Sequence, residues 1–154
     1  MTSAVAVVAG AVAVAALNAI PGLLGGWLWY RGRSERLDAF WVLLRVGQGS
    51  ALAFALAVGS LAAASRYSSD QLFYLYALLP LAVGFVAEQL RVACAQTILD
   101  QRELNDARAV GELPEQEQRS VVAEIVRREM GVMAISALVV VFLALRAAGT
   151  AHGF

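Results

Sequence analysis

The chain has 154 residues, 60% of them apolar, and its twelve basic and twelve acidic residues cancel to a formal charge of zero. That balance excludes the basic excess of a nucleic-acid binder. The lone cysteine, Cys94, excludes an internal disulfide or a multi-cysteine metal or redox motif, and the lone histidine, His152, excludes bis-His haem ligation within the chain.

Charge is absent from residues 1–30, and uncharged apolar runs follow at 46–65, 71–87 and 130–145. A bilayer core of about 30 Å takes roughly 20 helical residues to cross, and lipid obliges each crossing to satisfy its own backbone as a helix. The expectation is an all-α polytopic membrane protein, one transmembrane domain over 1–154. Its four-transmembrane-helix bundle has spans near 4–30, 40–65, 71–95 and 121–147, and helices three and four extend into a cytoplasmic helical hairpin over 96–120.

In the first span no Arg precedes the apolar residues, so the run reads as a retained helix rather than a cleaved signal peptide. Pro21 removes a backbone donor and predicts a bend, with Asn18 placed to satisfy a freed carbonyl. Small residues at Gly22 and Gly26, and at Ala51, Ala55 and Gly59 in the second span, predict close helix contacts. The second connection, 66–70, is a tight turn that makes helices two and three antiparallel neighbours.

Nothing in the sequence stops helix three before Gly111, so it is expected to run on through Gln96 to Leu104. Pro114 then opens helix four, with Glu115 and Glu117 suiting the helix dipole. A stripe of Val121, Val122, Ile125 and Val126 faces a partner stripe of Ala95, Ile98, Leu99 and Leu104. The acidic residues Asp100, Glu103, Asp106, Glu112, Glu115 and Glu117 match no calcium-loop spacing and read as a solvated hairpin. Residues 20–25 echo 79–84 around Pro21 and Pro80, the pattern that a parallel internal repeat would leave.

All the basic residues are Arg, which fits a GC-rich genome and equally a use of guanidinium forks in ion pairs. Arg31, Arg33, Arg36 and Arg45 surround the first connection, and Arg91, Arg102, Arg108, Arg119, Arg127 and Arg128 the third. Only Arg66 and Arg146 fall at the other side. Positive charge accumulates in the cytoplasm, so a bacterial-type plasma-membrane protein with both termini outside is expected. Aromatic belts fit this frame, with Trp27, Trp29, Tyr30, Phe40 and Trp41 at one face and Tyr67, Phe73, Tyr74 and Tyr76 at the other.

Where charge meets the spans, a candidate polar layer comprises Arg45, Gln48, Glu88, Gln89, Arg91, Glu124, Arg127, Arg128 and Glu129. Glu88 can pair with Arg91 along its own helix, and with Arg45 or Arg128 across helices. Ionisable groups within a bilayer are costly. The layer therefore reads either as an ion- or headgroup-handling site or as flanking charge that snorkels to water. Glu88 with Gln89 fits snorkelling least, because a short Glu reaches water poorly. Helix one, free of charge, is expected to be the packing or lipid-facing member, with the polar layer confined to the other three.

Size and helix count are similar to those of the MAPEG family of glutathione-handling membrane enzymes. The Arg, Asn and Glu of that family's second helix are not matched, since Arg45 is followed by Gln48 and Ala51. No catalytic set, metal site or cofactor is expected. The leading expectation is a non-catalytic accessory or structural subunit whose partners are the bilayer and other membrane subunits or further copies of itself, without nucleic acid. The alternative is a small oligomeric transporter or channel using the Glu/Arg layer.

Overall fold

Uncharged runs offer the backbone no partner but itself, and in the computed structural model each run is helical. The structure describes residues 3–32, 37–65, 68–104 and 107–152. Its elements are α1 (Ser3–Arg31), α2 (Leu37–Ala63), α3 (Gln71–Gln101), the short α4 (Ala107–Gly111) and α5 (Glu115–Thr150), with no strand among the described residues. Four of these helices are long and apolar enough to cross a membrane. Arg33, Arg36, Arg66, Tyr67 and Asp106 lie outside the described residues.

The four long helices pack in the cyclic order α1, α2, α3, α5, with α5 pressed between α1 and α3. Half of the apolar stretch of α5 is buried, about twice the share of any other helix. The α2–α3 seam is thin, and α2 scarcely meets α5 across the diagonal.

Three core layers show that neighbours run antiparallel. Leu28, Phe40, Ala87 and Met133 join at the end where α1 finishes and α2 begins. Val14, Ala51 and Val140 fill the middle. Val7, Val58, Phe73 and Ala147 close the far end.

Small side chains govern how closely the backbones approach. The space a Cβ would need at Gly22 is taken by Leu138, and at Gly25 by Phe40 and Ala134. Gly26 has nothing within 4 Å. The contact pair is thus Gly22 and Gly25, not the expected Gly22 and Gly26. The buried seam of α1 continues through Pro21, Gly22, Gly25 and Leu28, a row that leaves Gly26 to the side. On α2 the seam follows Gly47, Ala51, Ala55 and Val58, and Gly59 is open instead of packed.

Two further expectations are corrected. Helix α3 stops at Gln101 rather than Leu104. Glu103 takes a left-handed φ of 56°. The Leu104 N–H donates to the Leu99 carbonyl at 2.9 Å and the Glu103 N–H to the Asp100 carbonyl at 3.1 Å. That is a Schellman closure with Glu in the place usually held by Gly. Phe40 and Phe73 are not belt residues, since both are fully buried, each with an aromatic neighbour edge-on (Trp41 and Tyr74). Trp27, Trp29 and Tyr30 do sit at the surface.

Beyond the closure, Ile98, Leu99 and Val121 are buried, whereas Val122 is exposed and Ala95, Leu104, Ile125 and Val126 are half-buried. Arg102 donates to Glu124 at 2.9 Å above them. Pro114 precedes α5, with Glu115 and Glu117 in its first turn. At the opposite end, Ser68 and Ser69 hydroxyls and the Ser69 N–H donate to the His152 carbonyl, at 2.9–3.2 Å. This ties the α2–α3 connection to the end of α5.

Candidate functional site

Arg45 and Gln48 lie one turn apart on α2, so both point toward α3 at the depth of Glu88. Arg45 donates to Gln48 Oε1 at 2.6 Å and to Glu88 Oε1 at 2.5 Å. Gln48 Nε2 donates to the same Glu88 oxygen at 3.1 Å. The three side chains form a closed ring that joins α2 to α3 where their apolar contact is thin.

Arg91 adds a second cation. Its Nε lies 3.1 Å from Glu88 Oε2, yet that buried N–H makes no hydrogen bond. The contact is therefore one of opposite charges without donor alignment. The guanidinium also lies over the Trp41 ring, 5.6 Å from its centroid, a position that favours a cation electrostatically. Half-buried Glu129 on α5 is near enough to feel both Arg91 and Glu88.

The remaining candidates fall elsewhere. Gln89 is exposed and takes no part, and the amide beside Glu88 is that of Gln48. A one-residue step along α3 turns the side chain by about 100°, so adjacent residues seldom share a site. Glu124 belongs to the Arg102 clasp rather than to the layer. Arg127 and Arg128 are exposed and have no ion-pair partner among the described residues.

Asn18, expected only to serve the Pro21 kink, does something different. Helix α1 runs unbroken through Pro21. The Asn18 amide donates to the Val14 carbonyl at 2.9 Å and across to the Gly47 carbonyl at 3.1 Å. Neither is the Leu17 carbonyl, which Pro21 deprives of its usual helical donor. Gly47 permits the crossing, because a Cβ there would stand 2.8 Å from Asn18 Oδ1 and 3.2 Å from the Leu17 carbonyl oxygen.

Between α2 and α3 the loose seam opens into a cleft of about 230 Å³. Leu44, Gln48 and Ala51 form one wall, and Leu81, Gly84, Phe85 and Glu88 the other. Asn18 of α1 and Ser136, Ala137 and Val140 of α5 form its floor. Helix one is therefore not free of the polar region, since it supplies the one fully buried side-chain amide among the described residues. The sequence signal for this cleft was slight: Gly84 and Pro80 on α3 opposite a small-residue stripe on α2.

Among the described residues no three metal-ligating side chains gather. Comparison with protein-family models, with curated proteins and with solved structures returned no match to this chain.

Proposed function

We propose that this protein is a four-helix membrane bundle of a bacterial-type plasma membrane that serves as a non-catalytic accessory subunit of a larger membrane assembly. In this reading both termini face outward, and the ends of α3 and α5 with α4 form a cytoplasmic hairpin. The observation that carries it is the closed ring of Arg45, Gln48 and Glu88. Its charges are spent on one another and on Arg91, holding α2 to α3, instead of lining a continuous polar path. The hairpin then offers exposed Arg119 for docking, with exposed Arg127 and Arg128 at its base.

The test is native mass spectrometry on the tagged chain extracted gently from its own membranes. A stoichiometric complex with another membrane protein is expected, and a lone monomer overturns the reading. Single-cysteine variants in intact cells check the orientation. A cysteine at Ser69 should react with an impermeant maleimide and one at Gln116 should not; the reverse pattern inverts the topology.

One observation favours the second reading, a small oligomeric transporter: Glu88 and Gln48 line the cleft. Lost flux in vesicles carrying Glu88→Gln would support it, and unchanged flux would remove a proton-coupled role.

A further inference from the structure

Two acceptor oxygens at the α2–α3 cleft receive no hydrogen bond from the described residues. Both Asn18 bonds use its Nδ2, which leaves Oδ1 without a donor in a side chain only 1% exposed. Arg45 and Gln48 both donate to Glu88 Oε1, and the Arg91 N–H near Oε2 makes no hydrogen bond. Asn18 Oδ1 belongs to a sheltered side chain and the Glu88 side chain is 27% exposed. An acceptor without a donor is unfavourable away from water, so a cleft lined by them favours a ligand that supplies a donor.

The rest of the cleft defines that ligand further. Its walls are apolar, from Leu44, Ala51, Leu81, Phe85 and Val140. Its volume of about 230 Å³ exceeds the roughly 150 Å³ that accepts a benzene ring. With α1 and α5 as floor and α2 and α3 as walls, its mouth opens sideways, toward the lipid around a membrane-spanning chain. Gly84 borders this open space, since a Cβ there would meet nothing within 4 Å.

Charge decides the head. Glu88 lines the cleft, but neither Arg45 nor Arg91 does. Arg45 lies on a separate groove with Trp41, Val42 and Val46, and Arg91 covers Trp41. A phosphate in the cleft would face the Glu88 carboxylate, and neither guanidinium lines the cleft to receive it. A cationic amine would compete with two guanidinium groups already neutralising Glu88. A neutral hydroxyl donates its one proton to either acceptor at no charge cost.

The geometry points to this cleft as a binding site for a neutral lipid alcohol, its hydroxyl donating to Asn18 Oδ1 or Glu88 Oε2 and its chain along α2 and α3, entering sideways from the bilayer. The site is independent of the accessory-subunit reading, because the purified chain alone suffices for the test.

The protein in phosphatidylcholine nanodiscs is exposed to hexadecanol carrying a diazirine, or to the matching diazirine hexadecane, and crosslinks are mapped by mass spectrometry. Labelling is expected on Leu44, Leu81 and Phe85. The alcohol should exceed the alkane about fivefold, as one net hydrogen bond provides. Dioleoylglycerol should compete and phosphatidic acid should not. Gly84→Leu, which fills the cleft, should abolish this labelling, while Gly59→Leu, an equally open glycine on α2, should retain it. Labelling spread evenly over Val42, Leu79 and Val86, equal labelling by alcohol and alkane, equal competition by phosphatidic acid, or indifference to Gly84→Leu would each overturn the assignment.

Discussion

Asn18 on α1 and Gly47 on α2 lock two helices at close range: the amide donates to the Gly47 carbonyl at 3.1 Å, and the glycine's missing side chain is what lets it approach. An added Cβ would press on the fixed amide and on the Leu17 backbone oxygen, neither of which can swing away. Gly47→Ala should therefore destabilise by about 1–3 kcal/mol. Gly49→Ala, two residues on in open space, should be neutral or stabilising. Steric-trap unfolding in bicelles measures both.

The neighbouring glycines Gly25 and Gly26 should respond in opposite ways. Gly25→Ala drives a methyl into Phe40 and stands 2.9 Å from the Ala134 Cβ, and should cost ~1–3 kcal/mol. Gly26→Ala meets nothing and gains helix propensity, up to ~1 kcal/mol. Equal effects in the same unfolding assay would contradict the seam described for α1.

Removing Glu88 should cost more than neutralising it. Glu88→Ala leaves Arg45 and Arg91 without a counter-charge. Since the Arg45 side chain is 51% exposed, water screens part of the loss, and ~1–3 kcal/mol is expected, below a fully buried pair. Glu88→Gln keeps an oxygen for Arg45 and should cost less. A double-mutant cycle of Arg45→Ala with Glu88→Ala should return a favourable coupling. A coupling of zero would mean that the ring does not hold α2 to α3.

Glu103 occupies a left-handed position at the end of α3, where a side chain costs about 1–2 kcal/mol relative to glycine. Glu103→Gly should raise stability by up to that amount while keeping the Leu104 to Leu99 bond. Reduced proteolysis of the α3–α5 connection is the readout. A destabilised Glu103→Gly variant would exclude the Schellman closure.

Much of the layout was legible in the chain. Uncharged length marked each long helix, and Pro114 marked the start of α5, since a proline at a helix entry gives up an N–H that would have no helical partner there. The Glu88–Arg91 proximity followed from helical spacing alone. The Arg45–Glu88 pairing was foreseen as one of several cross-helix options. The end of α3 was missed because no glycine signals it. Gln48 and Gln89 both belong to the polar layer legible in the sequence, but only Gln89 could be set beside Glu88, because adjacency along a chain is visible and adjacency across helices is not.

By itself the sequence determined that four apolar helices form and where charge enters them, because hydropathy and helix propensity are properties of each segment alone. Only the tertiary structure decided which face of each helix is inside. Gly25 is sealed beneath Phe40 while Gly26 is bare, and Gln48 rather than Gln89 meets Glu88. The physical reason is that rotation of a nearly all-apolar helix about its axis changes its hydropathy little. The fit of small residues against neighbouring backbones fixes that rotation, and with it the seam left open between α2 and α3.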